Sequence, residues 1–358
     1  MPFLFRLLCS FHLVWFLSVA AYAADFPAPK AGVYIAPTLT FHTGEVLASV
    51  KLAYKTLGDP KNPAVLVIHG TAGTAQSLLS EGFGGQLFGK GQPLDAEKYF
   101  IILPDALGTG QSTKPSDGLK AKFPVYNYND MVDAQYRLVT EGLGIKHLRL
   151  VTGNSMGGMH AWIWGVRYPA MMDAIVPLAS QPTAMASRNW MMRRLMIDMI
   201  KADPDYQGGN YTTQPKSTRL ANLFYATGTN GGDLGWQAQA PTRQAADALV
   251  DKALAGPPPI DTNDFIGQWY ASFDYDVSSQ LGMITARVLA INSADDERNP
   301  LSSGLLVKSI KAIKGAKLYI IPASAETRGH GTTGTLARLW APELKKFMAG
   351  LQKPAMSR

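Results

Sequence analysis

Gly153-Asn154-Ser155-Met156-Gly157 is the segment whose residue types and spacing are best suited to chemistry. It follows the apolar run Leu148-Arg149-Leu150-Val151-Thr152 and precedes a helix-like stretch, Met159 to Tyr168. A serine in a tight strand-to-helix turn has its Oγ lifted clear of the sheet. Glycines on either side of it leave room for the neighbouring strand and helix. The N–H of Met156 then stands at a helix N-terminus, where it can donate to a developing oxyanion. The chemistry to expect is attack by Ser155 on a carbonyl carbon.

Such a serine needs a base, and position narrows the choice. His42 lies in an early extended segment, and His147 precedes the strand leading to Ser155, which puts it at the opposite sheet edge. His160 is about 1.5 turns into the following helix and points away. Loops that follow parallel strands gather at the carboxyl edge of a sheet. His69, after Ala64-Val65-Leu66-Val67-Ile68, and His330, after Lys317-Leu318-Tyr319-Ile320-Ile321, are therefore the two that qualify. His330 is flanked by Gly329 and Gly331 on a loop that can reach across to Ser155, and it is the expected base. A carboxylate must orient it. Asp295 and Asp296 both lie in the loop after the strand Arg287-Val288-Leu289-Ala290-Ile291, also at the carboxyl edge. A second oxyanion donor is expected from the N–H of Thr71 in His69-Gly70-Thr71-Ala72-Gly73; a plain glycine-rich turn is the competing reading.

The elements that must position these groups form an α/β pattern. Tyr34 to Gly58 reads as a hairpin. Short apolar strands at Ala64–Ile68, Tyr99–Leu103, His147–Thr152 and Ala174–Leu178 alternate with helical patterns such as Tyr128 to Gly142, as in a parallel sheet covered on both faces. From Gln181 to about Gln280 the alternation stops. It resumes with Arg287–Ile291, a helix from Leu301 to Ile313, the strand Lys317–Ile321 and a final helix from Thr335 to Leu351. The interruption predicts a helical cap inserted into one sheet domain. The domain reading is 24–180 and 281–358 for the core and 181–280 for the cap.

Met1 to Ala23 has one charge, Arg6, then an apolar run and Ala21-Tyr22-Ala23, the pattern of a cleaved export signal. Export to the periplasm or beyond is expected, with no stable membrane span after cleavage. Cys9 is the sole cysteine, so the mature chain of about 335 residues has no thiol nucleophile and no thiolate metal site. The net charge of +7 falls to +6 without Arg6. The basic residues are scattered as on an ordinary solvated surface, which argues against a nucleic-acid partner. The acyl chemistry calls for no cofactor and no metal, and the partner expected is a small-molecule acyl substrate.

Tyr54-Lys55-Thr56-Leu57-Gly58-Asp59-Pro60, Ile68 to Gly73, Tyr99 to Gly108, Asp130-Met131-Val132 with Gln135, Gly153 to Met159, and the tail from Phe273-Asp274 through Asp296 to His330 resemble the homoserine O-acetyltransferase branch of the α/β-hydrolase superfamily. The resemblance covers most of the mature chain, in order. It implies an α/β-hydrolase fold, a mostly parallel sheet flanked by helices with an inserted helical cap, and a triad in the order Ser155, Asp296, His330. Asp296 stands four residues before Pro300, the usual spacing of the triad acid in that loop, and Asp295 is its rival. Asp105 to Ser112 resembles the superfamily's D-x-x-G-x-G-x-S turn, a structural loop at the edge of the site. The resemblance also leaves room for a homodimer through the cap.

Two departures bear on activity. The transferase pattern has a carboxylate-binding arginine six residues before the Asp-Pro that is Asp203-Pro204 here. This chain has Ile197 there, with Arg193 and Arg194 about one helical turn away. An exported enzyme would also not meet acetyl-CoA. The cap carries Met185, Met191, Met192, Met196 and Met199 with Trp190, Trp236 and Trp269, a composition suited either to an adaptable apolar pocket or to ordinary packing within the cap. The expectation is therefore a serine hydrolase of carboxylic esters, with an O-acyltransferase as the alternative and a catalytically silent binding protein third.

Overall fold

The structure, a computed structural model, describes residues 26–256 and 260–351. The expected signal peptide with Cys9, and the loop-like run Pro257-Pro258-Pro259 of the segment expected as a cap, lie outside the described residues.

Eight strands form one sheet in the order β1-β2-β4-β3-β5-β6-β7-β8. β1 (Lys30–Thr40) and β2 (Val46–Leu57) make the expected antiparallel hairpin, and β2 pairs antiparallel with β4 (Phe100–Pro104). From β4 through β3 (Ala64–Ile68), β5 (Leu148–Asn154), β6 (Ala174–Leu178), β7 (Arg287–Ser293) and β8 (Lys317–Ile321) every pairing is parallel. β3, β4 and β6 are buried along their whole length, because an all-apolar strand needs cover on both faces. Successive residues serve opposite cores. Ile68, Val151 and Ile175 pack with Trp162 on one face, and Val67, Leu150 and Val176 pack with Trp340 and Phe347 on the other. The chain leaves β3 for β4 on one side, then crosses to β5 on the other. The connections leaving β3 and β5 therefore run in opposite directions from the carboxyl edge, the place where sites form in such sheets.

Helix α1 (Gly84–Leu87) is a single turn. Helix α2 (Tyr128–Arg137) starts at a capping box, in which Asn127 accepts from the Asp130 N–H and Asp130 accepts from the Asn127 N–H. It runs on through a π-helical turn, Leu138–Gly142. Helix α3 (Met156–Arg167) follows β5 directly. Between β6 and β7 the described residues form helices and no strand: α4 (Ser187–Lys201), α5 (Ser217–Thr229), α6 (Asp233–Gln239), α7 (Arg243–Ala255) and α8 (Thr262–Tyr270). Met196, Ile197, Tyr225, Phe265 and Trp269 form an apolar centre of their own there. The methionines divide: Met196 is in that centre, Met192 packs against it, and Met191 and Met199 are exposed. Most of the methionine stripe thus serves packing and surface, and not a pocket. No helix among the described residues is long and apolar enough to cross a membrane.

Two helices depart from expectation. The stretch from Leu301 begins as a 3-10 turn, Leu301–Ser303. Gly304 at φ +69° then breaks it before α9 (Leu305–Lys311). The last helix is split into α10 (Thr332–Thr335), a 3-10 turn at Ala337–Leu339 and α11 (Ala341–Ala349). Leu336 and Trp340 have non-helical backbone. Pro342 cannot donate to a preceding turn, so the helix restarts beside it.

Candidate active site

Ser155 occupies the turn between β5 and α3 at φ +56°, ψ −112°, a backbone conformation that side chains rarely adopt. The turn is anchored where the Ser155 N–H donates to Leu178 O at 2.9 Å. Its glycines are required by contact. A Cβ on Gly157 would lie 2.2 Å from Ile68 O, and one on Gly153 would lie 2.6 Å from the Gly157 carbonyl carbon.

The structure brings Ser155, His330 and Asp296 together. His330 Nε2 is 2.8 Å from Ser155 Oγ, and His330 Nδ1 is 2.9 and 3.0 Å from the two Asp296 oxygens. With the proton on Nδ1 donated to Asp296, the Nε2 lone pair faces the serine hydroxyl. Asp296 Oδ1 also accepts the N–H groups of Arg298 and Asn299, and Asn299 Nδ2 binds both Asp296 Oδ2 and Ala179 O. Asp295 points elsewhere: it accepts from Thr327 Oγ1 at 2.6 Å and from Ser293 Oγ. Of the two acids, Asp296 is the one within hydrogen-bond distance of the ring.

Burial sets the electrostatics. Ser155 is 4% and His330 5% exposed, so the facing atoms lie in a nearly dry site. Desolvation pushes the His330 imidazole below its ordinary value, helped by the Arg298 and Arg193 cations and opposed by Asp296. Burial alone would raise the Asp296 carboxyl, but His330 and the Asn299 hydrogen bonds outweigh it and hold the carboxyl low. A neutral imidazole beside a fixed carboxylate can accept the serine proton and hold it as an imidazolium.

The loop after β3 lies against the elbow. A Cβ on Gly70 would be 3.3 Å from Asn154 O and 3.6 Å from Ser155 Cβ. The Thr71 N–H donates to no backbone group among the described residues, and Met156 is the first residue of α3, where an N–H has no intrahelical acceptor. His69, the other histidine at this edge, is committed to the scaffold. Its Nδ1 meets Gly70 O at 2.8 Å and its Nε2 accepts the Ala106 N–H at 3.0 Å. The Asp105–Ser112 turn is structural as expected: Asp105 accepts the N–H groups of Ala75 and Gln111, and its carbonyl accepts from Ser112 Oγ. His160 is buried against Gln135, His147 pairs with Asp173, and His42 pairs with Asp130, all away from Ser155.

Several polar groups beside the site were not foreseen in these roles. Arg193 is fully buried. Its Nε donates to Asn189 and its Nη1 to Ser272 Oγ, its guanidinium lies 4.9 Å from the Trp269 ring, and its Nη2 makes no hydrogen bond of ordinary geometry, with the Tyr128 and Tyr225 hydroxyls beside the guanidinium. Tyr128 OH and Trp269 Nε1 are likewise buried without such a bond. Arg298 stacks over Tyr225 and Trp269, 4.6 and 5.5 Å from their ring centres. A pocket of about 100 Å³ opens among Met159, Asn189, Tyr275, Arg298 and Asn299. The sequence signal for these groups was limited to a basic pair in the inserted segment and a charged run after β7.

A family model described as alpha/beta hydrolase fold matches residues 63–325. The homoserine O-acetyltransferase of Solidesulfovibrio magneticus is 37% identical over 191 residues, which is 48% of each chain. This match spans about half the length of that curated relative. In structure the chain resembles the homoserine O-acetyltransferase of Bacillus anthracis, with a TM-score of 0.80 at 22% identity over 92% of this chain and 100% of that one. It also resembles an acetylester hydrolase of Corynebacterium glutamicum, with a TM-score of 0.77 at 23% identity over 90% and 96%. The topology, the elbow and the family match agree: the chain belongs to the alpha/beta hydrolase fold family and resembles its homoserine acetyltransferase branch.

Proposed function

We propose that this protein is an O-acyltransferase that works through an acyl-Ser155 intermediate and delivers the acyl group to a small, carboxylate-bearing alcohol of the homoserine type. The Ser155–His330–Asp296 relay is the observation that carries acyl transfer. Ser155 Oγ attacks the acyl carbonyl carbon while His330 Nε2 takes its proton. The tetrahedral oxyanion is held by the N–H groups of Met156 and Thr71. Collapse expels the leaving group, which takes the proton back from His330 and leaves the acyl-serine. The acceptor hydroxyl then gives its proton to His330 and attacks the same carbonyl, and collapse expels Ser155 Oγ, which takes the proton back from His330. Two findings favour an alcohol over water. The curated relative named above is a homoserine O-acetyltransferase. The Nη2 of buried Arg193, which makes no hydrogen bond of ordinary geometry, also supplies a cation for a carboxylate.

Ester hydrolysis is the second reading. Ile197, where the transferase pattern has its arginine, is packed in the apolar centre of the inserted helices. The apolar stretch at 1–23, read from the sequence as an export signal, supports this reading too: in the periplasm or outside the cell an ester would replace a thioester as acyl donor.

Thiol release from acetyl-CoA, and release of nitrophenol from a short nitrophenyl ester, each with and without L-homoserine, separate the two. Release that requires homoserine and vanishes in Ser155→Ala supports transfer. Ester turnover indifferent to homoserine overturns it in favour of hydrolysis. Absence of both, with no fluorophosphonate labelling of Ser155, sinks both readings. Cell fractionation and the mass of the mature N-terminus test export.

A further inference from the structure

Three consecutive acids, Asp295, Asp296 and Glu297, hold the loop that carries His330, and each grips a different point. Asp295 takes Thr327 Oγ1 at the start of the loop, and Asp296 takes the ring. Glu297 does something neither of the others does. Its Oε2 accepts the His330 N–H at 3.0 Å and its Oε1 accepts the Gly232 N–H at 2.7 Å. Gly232 caps helix α6 of the inserted segment. One carboxylate therefore joins the backbone of the expected base to the helices between β6 and β7.

Glycines make room for two of these carboxylates, Gly329 for Glu297 and Gly232 for Asp295. A Cβ on Gly329, which sits at φ +52°, would lie 2.1 Å from Glu297 Oε2. A Cβ on Gly232, at φ +69°, would lie 2.3 Å from Asp295 Oδ2. The neighbouring strands of backbone are clipped as well, by Gly231 N–H to Arg328 O at 2.9 Å. The inserted helices touch the acid loop at two more points: Arg188 of α4 donates to Glu297 O, and Arg298 Nε donates to Thr229 at the end of α5. His330 and Gly232 are both buried. Removing the carboxylate would strand two buried N–H donors at once, one on each side of the joint. A turn of the peptide between Gly329 and His330 would also swing the imidazole off Ser155 and Asp296 together.

We infer that Glu297 is a positioning residue that couples the seating of the inserted helices to the alignment of His330, so that a substrate settling under those helices also sets the base. The inference rests on the reading of His330 as the base in the proposed acyl transfer.

Glu297→Gln and Glu297→Ala in the full chain test it, with Asp295→Asn as comparison. Glutamine keeps the shape but offers an acceptor to only one of the two N–H groups. Amide exchange followed by mass spectrometry should show faster exchange in Glu297→Gln for residues 230–236 and 328–333 together. Asp295→Asn, which keeps the side-chain shape packed against Gly232 and weakens the Thr327 hydrogen bond, should loosen the segment around Thr327 most and leave 330–333 unchanged. With a short neutral nitrophenyl ester, kcat should fall about tenfold to a hundredfold, the scale on which small misplacements act. KM should move less than about twofold, and the acid limb of kcat/KM should shift. Loosening of only one segment, or unchanged kcat and acid limb in Glu297→Gln, overturns the coupling. Glu297→Gln is isosteric and serves if Glu297→Ala does not fold. Ser155→Ala retaining turnover would overturn the proposed acyl transfer while leaving the exchange result interpretable on its own.

Discussion

Ser155 Oγ and His330 Nε2 are 2.8 Å apart across 175 positions of chain. The contact also crosses the sheet, since Ser155 leaves β5 and the His330 loop leaves β8, with β6 and β7 between them. A loop reaching over two strands needs attachment where it lands. Thr333 Oγ1 donates to Asn154 Oδ1 next to Ser155, and a Cβ on Gly334 would lie 2.9 Å from Asn154 Nδ2. The elbow and the His330 loop are thus docked against each other by residues adjoining the reacting pair.

The acid loop makes a sharp prediction about neighbouring carboxylates. Asp296→Asn leaves the shape intact but removes the charge that fixes the Nδ1 proton. It should lower kcat by roughly 10³- to 10⁴-fold, the loss seen when a triad acid becomes an amide. Asp295→Asn touches Thr327 and not the ring, and should cost less than about tenfold. Steady-state kinetics on one ester decide the matter, and equal losses in the two variants would contradict the geometry.

How far the sequence reveals this arrangement depends on whether a residue's task is local. The elbow is legible because its demands are met by neighbours: an apolar strand, glycines at two positions and a helix after them. His330 follows from topology, since loops after parallel strands share one edge. Asp296 against Asp295 is a different matter, because spacing to Pro300 favours one acid but only the fold shows that Asp295 is spent on Thr327. The task of Glu297 is not legible at all, and that of Arg193 shows only as nearness, shared with Arg194, to the position where the transferase pattern has its arginine. Both depend on where the inserted helices land on the sheet, a long-range fact that no local pattern encodes. The breaks at Gly304 and beside Pro342 were readable from glycine and proline, but the apolar periodicity running through them suggested single helices.

Gly157 supplies a test of the elbow itself. Gly157→Ala would push a Cβ to 2.2 Å from Ile68 O, a backbone atom at the centre of the sheet that has nowhere to move. The substitution should destabilise the fold by about 3 kcal/mol, the upper range for overpacking. Gly282→Ala, with nothing within 4 Å of the added carbon, should change stability little. Urea denaturation of both variants compares them directly. A Gly157→Ala protein as stable as wild type would mean that the turn is not this tight.

The buried histidines set an acid limit on stability. His160 is held down to about 3 by desolvation and the neighbouring His69, against an ordinary value of 6.5. Its folded value is depressed, so the folded state refuses a proton that the unfolded chain accepts below 6.5. The associated stability is complete above pH 6.5 and declines toward pH 3, with a slope of up to about 1.4 kcal/mol per unit for one proton. Midpoints of urea unfolding at pH 7 and pH 5 should therefore differ more in wild type than in His160→Gln. An identical pH slope in the two proteins would show that His160 takes up its proton at the same pH folded as unfolded.

Arg193 carries the distinction between acceptors. Its guanidinium has no carboxylate within ion-pair distance among the described residues, although it is fully buried. A buried cation without an acid partner is costly to keep. Trp269 and the hydrogen bonds to Asn189 and Ser272 hold it in place but leave Nη2 unspent. If a substrate carboxylate completes the shell, Arg193→Met removes a charged hydrogen bond of about 1.5–3 kcal/mol, or roughly a tenfold to hundredfold rise in KM for homoserine. Hydrolysis of a neutral nitrophenyl ester, measured well above the acid limb, should stay within about threefold, because Arg193 makes no hydrogen bond to Ser155, His330 or Asp296 and bears on His330 only through its charge. Arg193→Lys should restore the charge but not the planar fork, and recover only part of the loss. Equal damage to the neutral ester and to homoserine would instead assign Arg193 to holding α4 and α8 together, and would remove the main structural reason for preferring an alcohol acceptor over water.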